Sequence, residues 1–170
     1  MVKGGPAPSE KLEIQNNATS LLYDLMADEK NVGKILTLKR TSEEFGAFIK
    51  TIAATAAKNE KQLEHLAAND PDLNLRAMDL PPGEKAVRDA TSKTKEHELL
   101  FSSGKEFEFN LLFSQAEALN YGWHLAKVAA ENSSSAQEIK TFGAMGNGME
   151  KFYKQVITRM GPFAGGVIES

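Results

Sequence analysis

Apolar residues recur every three or four positions along most of this chain, a spacing that places them on one face of an α-helix. In the first stretch, from about residue 10 to residue 38, charged residues separate the apolar positions. These positions are Ala18, Leu21, Leu22, Leu25, Met26, Val32, Ile35 and Leu36. The pattern predicts one long helix with a single buried face.

A second helix is predicted to begin at Thr41 and to end at Asn69. Thr41 and Glu44 have the spacing of a capping box, in which each side chain accepts a backbone N–H of the other at a helix start. The helix ends before Pro71 because proline cannot continue the backbone hydrogen bonds. Its buried face is expected to contain Phe45, Phe48, Ile49, Ile52, Ala53, Ala56, Leu63, Leu66 and Ala67.

A shorter third helix is predicted after a polar connection over residues 70–80. The sequence Pro81-Pro82-Gly83 can open it, because proline is well suited to the first helical turn. One face of this helix carries Val87, Ala90, Thr94, His97 and Phe101.

The fourth helix is predicted to start at the capping-box sequence Ser103-Gly104-Lys105-Glu106 and to end near Glu131. Its inward residues are expected to be Phe107, Leu111, Leu112, Leu119, Leu125 and Ala129. Further apolar residues lie around its circumference, namely Phe109, Phe113, Ala116 and Trp123. We therefore expect more than one face to be covered and this helix to be central.

The last helix is predicted to start at a third capping box, Ser135-Ala136-Gln137-Glu138. Its apolar face carries Ile139, Phe142, Met149, Phe152, Val156, Ile157 and Met160. Gly146 and Gly148 lie inside it and cost roughly 2 kcal/mol together relative to alanine, which predicts a kink or a close helix contact. The domain is expected to span residues 10–160, with a flexible leader over residues 1–9 and a flexible tail over residues 161–170.

Composition limits the classes of function. The chain has 170 residues, 41% hydrophobic and 25% charged, which is typical of one folded globular domain. The net charge is -3 and the basic residues are scattered among acidic ones, which argues against nucleic-acid binding. No uncharged apolar run is long enough for a membrane span, so the chain is predicted to be soluble. The absence of cysteine excludes disulfides and thiolate chemistry.

Four long helices and a short third helix that crosses back along them would make the second and fourth helices parallel. That connectivity is the one found in ferritin-like bundles. The sequence thus predicts an all-α fold, a ferritin-like antiparallel four-helix bundle with a short additional helix between bundle helices two and three.

The chain also resembles a family of exported bacterial proteins of unknown function with ferritin-like helical bundles. The resemblance covers about residues 30–155 and is carried by Gly33-Lys34-Ile35-Leu36, Phe45-Gly46-Ala47-Phe48, Leu63-Glu64-His65-Leu66-Ala67, Leu80-Pro81, Gly104-Lys105-Glu106-Phe107-Glu108 and Ile139-Lys140-Thr141-Phe142. It implies a periplasmic or exported location, with a cytoplasmic one as the alternative. It places the family's bundle histidines at Ala56, Leu119 and about Phe152 or Tyr153, none of which offers an imidazole to a metal.

A metal site is possible in another form. A ferritin-like di-iron centre needs Glu-x-x-His pairs, but Gln62, Thr94 and Tyr121 stand three residues before the histidines. Glu60 lies in a gap of the second helix's apolar face, whereas Glu117 and His124 share a face of the fourth helix. These three could hold a divalent ion such as Fe, Mn or Zn. The alternative is that Glu60 lies at the edge of the core and that His124 is half exposed.

An aromatic cluster suggests a second kind of site. Six of the 13 aromatic residues fall within residues 101–123, and five of them are candidates for an apolar groove or interface: Phe101, Phe109, Phe113, Tyr121 and Trp123. Such a surface could bind a partner helix, a second copy of the chain or an apolar ligand. The alternative is that a central helix simply buries large side chains.

The leading hypothesis is a non-enzymatic helical-bundle domain that binds a protein partner or a small apolar ligand without a cofactor. Motifs of common hydrolases and phosphate-binding loops are missing, so no catalytic residue is assigned. The alternative, from another class, is a divergent ferritin-like protein that binds a divalent metal through Glu60, Glu117 and His124.

Overall fold

The computed structural model describes residues 7–164, and within this range every regular element is a helix, without a β-strand. The α-helices are α1 (Pro8–Glu29), α2 (Glu43–Asn69), α3 (Pro82–Phe101), α4 (Gly104–Asn132) and α5 (Ala136–Ala164), with a 3₁₀ helix (Val32–Thr37) between α1 and α2. The all-α prediction is confirmed. The predicted flexible leader and tail lie partly outside the described residues, over residues 1–6 and 165–170.

The first helix is shorter than the predicted stretch over residues 10–38. It ends at Glu29, where the Asn31 side chain donates a hydrogen bond to the Ala27 carbonyl oxygen. The chain then forms the 3₁₀ helix, from which Val32, Ile35 and Leu36 still pack against the core. The prediction was wrong here because a three-residue apolar spacing suits a 3₁₀ turn as well as an α-helix.

Two of the three predicted capping boxes are wrong in detail. At the start of α2 the capping residue is Ser42 rather than Thr41, and its hydroxyl accepts from the Phe45 N–H at 3.2 Å. At the start of α4 the Ser103 side chain makes no capping hydrogen bond, and Gly104 adopts a φ of 58°, which glycine tolerates without strain. At the start of α5 the Ser135 hydroxyl does accept from the Glu138 N–H, at 3.4 Å.

The four long helices pack side by side, each antiparallel to its neighbours. Hydrogen bonds from Tyr23 to Glu64 and from Lys30 to Glu60 show that α1 and α2 run in opposite directions. Gln115 of α4 reaches Glu29 of α1. The α2–α5 pair is joined at one end by Arg159 and Glu44. α4 packs against α5, α1 and α3, as expected for its predicted central position. The expected cover of its other faces was wrong for Phe109 and Phe113, which are 38% and 50% exposed.

The core between these helices contains the inward residues predicted for α4, all of which are buried. From the other long helices it contains, among others, Leu22, Met26, Ile49, Leu63, Phe142, Met149 and Val156. Ile139 and Ile157 of α5, which the pattern also placed inward, are 44% and 45% exposed. They lie at the edge of the apolar face, where the spacing alone does not decide between core and solvent.

The glycines of α5 do not impose the contact that the sequence predicted. Gly146 is buried against α4, but a methyl group there would lie 3.6 Å from Ala126 Cβ, an ordinary contact distance. Gly148 faces open space. The helix continues past Met160, the predicted end of the domain, and includes Pro162 in its last turn.

The connection between α2 and α3 lies along α1. Asn16 donates to the Asp72 carbonyl oxygen and accepts from the Asn74 N–H, at 3.0 and 2.9 Å. Ser20 donates to the Asn74 carbonyl oxygen and accepts from the Ala77 N–H. The backbone N–H and C=O groups of this segment have no partners of the kind a helix provides. Two polar side chains of α1 thus serve as their hydrogen-bond partners.

None of the helices within residues 7–164 is both long enough and apolar enough to cross a membrane.

Candidate functional site

A cleft of about 380 Å³ separates α3 from α4. Its apolar lining comes from Val87, Ala90 and Leu99 on α3 and from Phe113 on α4. Polar and charged residues complete it: Thr91, Thr94, Lys95, Glu98, Asn110, Ser114 and Glu117. The volume lies within the range of small-molecule pockets, and the mixture of apolar surface with a few polar groups is common in such sites.

The cleft exists because α3 is attached to the rest of the molecule by few side chains. None of its residues, Pro82–Phe101, is buried, and only Arg88, Lys95 and Leu99 are half-buried. Arg88 donates to the Tyr121 hydroxyl at 2.8 Å and stacks over that ring, and Lys95 pairs with Glu117. The contacts of α3 with α4 are therefore largely polar, and they leave apolar surface on α3 uncovered.

The end of α3 is held by a third polar contact. Lys39, from the connection before α2, donates to the carbonyl oxygens of Leu100 and Ser102, both at 2.6 Å. These carbonyls are at the C-terminus of the helix, where a positive charge is favourable. The anchors of α3 at Arg88, Lys95 and Lys39 are thus distributed along its length.

The apolar face predicted for α3 does not contribute to the core. Val87 is 62% exposed and Phe101 is 78% exposed, and the Phe101 ring contacts His97 on its own helix. The prediction treated the spacing of Val87, Ala90, Thr94, His97 and Phe101 as a buried face. The spacing places these residues correctly on one face of the helix, but only the tertiary structure shows that none of them is buried and that Val87, Ala90 and Thr94 line a cleft.

The five aromatic residues predicted as a groove or interface do not form one cluster. Phe109 and Phe113 stack with their ring centroids 6.4 Å apart, and Phe113 lines the cleft. Tyr121 lies further along the same face, bound to Arg88. Trp123 instead contacts Tyr153 of α5, and Phe101 is at the exposed end of α3. The sequence pattern did not identify Val87 and Leu99 as cleft residues. It placed Val87 on a face of α3 expected to be buried and indicated no role for Leu99.

The three predicted metal ligands each have another partner. Glu60 receives both hydrogen bonds from the Lys30 ammonium group, at 2.7 and 2.8 Å, in the α1–α2 interface. Glu117 pairs with Lys95 of α3, and Nδ1 of His124 lies 2.7 Å from the Asn120 carbonyl oxygen. Within residues 7–164, no group of three or more histidine, aspartate and glutamate side chains is arranged to hold a metal ion.

A small cavity of about 20 Å³ lies at the centre of the four long helices. Each of them contributes to its lining, and the positions include Ala56, Leu119 and Phe152. The family resemblance places histidines at the first two of these positions and at about Phe152 or Tyr153. The volume is sufficient for about one water molecule, so the apolar side chains present here nearly fill the space.

One carboxyl group borders this cavity. The Glu29 residue keeps some exposed surface, but its carboxyl group is packed between α1 and α4, and its Oε2 accepts from Gln115 Nε2 at 2.8 Å. Burial raises the pKa of Glu29 to about 7, although the hydrogen bond from Gln115 opposes the shift. Gln115 is fully buried, and its Oε1 has no hydrogen-bond partner within the described residues. No spacing or motif in the sequence predicted this pair.

No family model matches the chain, and no significant match was found among curated proteins or among solved structures.

Proposed function

We propose that this protein is a non-enzymatic helical-bundle protein that binds a partner protein or a small apolar ligand in the α3–α4 cleft. The observation that carries the proposal is the incomplete packing of α3. A 20-residue helix with no buried residue leaves Val87 and Phe113 facing the same cleft, with 62% and 50% of each residue exposed. Burial of such apolar surface by a ligand is favourable by about 25 cal/mol per Å².

The polar contacts of α3 support a binding role for the cleft. Arg88 binds Tyr121 and Lys95 binds Glu117, and these contacts hold α3 at a distance from α4. The apolar side chains of the two helices therefore do not close the cleft by packing against each other. A ligand that enters would contact Leu99 and Phe113, which lie between the Lys95–Glu117 pair and the end of α3 that Lys39 holds. A pocket that exists before binding reduces the cost of ordering the protein around a ligand.

An apolar fluorescent probe, 1-anilinonaphthalene-8-sulfonate, tests the proposal on the whole chain. We expect saturable binding to the native protein and at least a tenfold higher Kd in the variants Val87→Ala and Phe113→Ala. The matched control is Ile157→Ala, which removes an apolar side chain of similar exposure, 45%, from α5 outside the cleft. Its Kd should stay within twofold of the unaltered protein. Equal effects of all three variants, or no saturable binding, would overturn the assignment of the cleft.

We further propose that the fold is a ferritin-like four-helix bundle with α3 as the additional helix. The neighbours α1–α2, α1–α4, α4–α5 and α2–α5 are consistent with it, since this order leaves α2 and α4 diagonal and parallel. The central cavity gives further support, because Ala56, Leu119 and Phe152 are on three different helices and line one space. That agreement between the resemblance and the geometry would be a coincidence in an unrelated bundle.

Engineered cysteine pairs test this connectivity, since the chain has no cysteine of its own. A pair at Phe48 and Phe152, whose ring centroids are 6.3 Å apart, joins α2 to α5 and should cross-link with a short bifunctional maleimide. A simple up-down-up-down bundle would instead place α2 and α5 on a diagonal. Failure of this pair, together with efficient cross-linking between α2 and α4, would contradict the ferritin-like order.

Two further sequence-based expectations stay predictions. Metal binding through Glu60, Glu117 and His124 has no supporting observation, because each group is engaged elsewhere. Export depends on the family resemblance alone, and fractionation of the source cells with an antibody against this chain would test it.

A further inference from the structure

The α3 helix packs on α4 through separate polar contacts rather than through a buried face. None of its 20 residues is buried. Arg88 donates to the Tyr121 hydroxyl at 2.8 Å, and Lys95 forms an ion pair with Glu117. A helix of this length that contributes to a core is held by a whole apolar face. The body of α3 is instead attached to α4 at two polar points.

The C-terminal end of α3 is fixed. Lys39 donates to the carbonyl oxygens of Leu100 and Ser102, and Ser102 is itself buried. Leu99 packs against the core from the last turn of the helix. The chain then enters α4 at Gly104, whose φ of 58° lies in the left-handed region that glycine adopts without strain. This end of the helix can therefore serve as a pivot.

The N-terminal end of α3 is tethered by a short segment. The connection before it is held on α1 as far as Ala77, whose N–H donates to the Ser20 hydroxyl at 2.9 Å. Residues 78–81 then lead to Pro82, the first residue of the helix. Four residues span at most about 14 Å when they are fully extended. The tether thus limits the movement of this end of the helix without preventing it.

We propose that α3 is a lid over the cleft, which opens by rotation about its C-terminal end when Arg88 leaves Tyr121 and Lys95 leaves Glu117. The inference rests on the proposed binding role of the cleft and adds a means of controlling access to it. Rotation about the C-terminal end displaces the N-terminal part of the helix most. Val87, which lines the cleft in that part, therefore moves furthest from α4, and a ligand enters there.

The two attachments are of a kind that water and salt weaken. Lys95 and Glu117 keep 31% and 45% of their side chains exposed, so dissolved ions screen their attraction. Arg88 also pairs with Glu84 on its own helix, at 2.9 Å, and keeps this partner when it leaves Tyr121. Opening of the lid exposes these groups to water and leaves no charge buried without a partner, so its cost is low. The lid should open more often as the ionic strength rises.

Energy transfer from Trp123 to a dye on α3 tests the lid in the whole chain. Trp123 of α4 is the single tryptophan, and the chain has no cysteine. Lys85→Cys, near the N-terminal end of α3, provides one site for a thiol-reactive acceptor dye, and Lys85 pairs only within its own helix, with Asp89. The time-resolved decay of tryptophan fluorescence separates a closed population with efficient transfer from an open population with weak transfer. We expect 1 M sodium chloride to raise the open population about two- to fivefold.

Variants on α4 break both attachments while the rest of α3 keeps its sequence. Glu117→Gln combined with Tyr121→Phe should raise the open population at least about fivefold and reduce the effect of salt on it. The matched control is Glu150→Gln, which breaks the ion pair with Lys154 inside α5. The open population in this control should stay within twofold of that in the unaltered protein.

A second pair of variants breaks the same attachments from the other side. Arg88→Met combined with Lys95→Met should raise the open population to a similar extent, even if the α4 variants fail to fold. An open population that neither pair of variants nor salt changes would overturn the lid, whether or not the apolar probe binds in the cleft. If the lid opens as expected but the probe does not bind, the movement of α3 is confirmed and the proposed function fails instead.

Discussion

Gln115 of α4 donates a hydrogen bond of 2.8 Å to the carboxylate of Glu29 on α1, next to the central cavity. The donor stabilises the charged form of Glu29, yet burial has the larger effect and raises its pKa from 4.5 to about 7. The balance between these two effects makes the stability of the α1–α4 interface depend on pH near neutrality.

Glu29 should make the protein less stable as the pH rises. Its pKa is higher in the folded state, so its contribution is fully present below pH 4.5 and is lost as the pH passes through about 7. The difference corresponds to as much as about 3 kcal/mol in the free energy of unfolding. Urea denaturation of the unaltered protein and of Glu29→Gln at pH 5 and pH 8 measures it.

In Glu29→Gln, the part of the decrease in the free energy of unfolding between pH 5 and pH 8 that comes from Glu29 should disappear. Glu13→Gln, which neutralises an exposed glutamate of the same helix, is the matched control and should leave the decline unchanged. A decline of the same size in Glu29→Gln would show that Glu29 does not titrate as its burial indicates.

The ion pair between Lys30 and Glu60 should contribute to stability because Glu60 is buried. Lys30→Met would leave a carboxylate that is 8% exposed without its cation, at a cost of about 1–3 kcal/mol. The double variant Lys30→Met/Glu60→Met should recover part of this loss, since no charge is then left unpaired. Thermal unfolding at pH 7 compares the stability of the unaltered protein, Lys30→Met and the double variant.

A surface ion pair provides the control for that comparison. Lys154, 69% exposed in its side chain, pairs with Glu150 one turn away, and Lys154→Met should change the free energy of unfolding by no more than about 0.5 kcal/mol. Equal losses in Lys30→Met and Lys154→Met would mean that burial adds nothing to the Lys30–Glu60 pair.

Two glycines in the long helices should respond to alanine in opposite ways. Gly148→Ala adds a methyl group in open space and should raise stability by roughly 0.5–1 kcal/mol through the better helix propensity of alanine. At Gly122 the same methyl group would lie 2.7 Å from Met149 Sδ and 3.0 Å from Leu25 Cδ2. Gly122→Ala should lower stability by about 1–3 kcal/mol from this overpacking. Similar melting temperatures for the two variants would contradict the contact at Gly122.

Divalent metals should leave the melting temperature unchanged. The ammonium group of Lys30 is bound to Glu60, Lys95 is bound to Glu117, and both cations would have to leave before a metal could bind these carboxylates. Thermal melts of untagged protein with and without Fe, Mn or Zn test this directly. A rise in the melting temperature that Glu60→Gln abolishes would instead favour the metal-binding alternative, because a bound ligand stabilises the folded state by mass action.

The periodicity of apolar residues was sufficient to predict the helices that form the core. Leu111 and Leu112 of α4, Leu63 of α2 and Phe142 of α5 are buried as predicted, because a helix that repeats apolar residues at this spacing has only one face that can leave water. Pro71 and Pro82 marked a helix end and a helix start for an equally local reason, the missing N–H and fixed φ of proline.

Only the tertiary structure decided which apolar face would be covered and which polar groups would meet. The spacing of Val87 and Ala90 is the same whether the face is buried or borders a cleft, and the outcome depends on Arg88 and Lys95, which hold α3 by polar contacts. The pairs Glu29–Gln115 and Gln15–Glu138 join residues 86 and 123 positions apart. Such pairs form only when helices are placed side by side, and no local spacing encodes that placement.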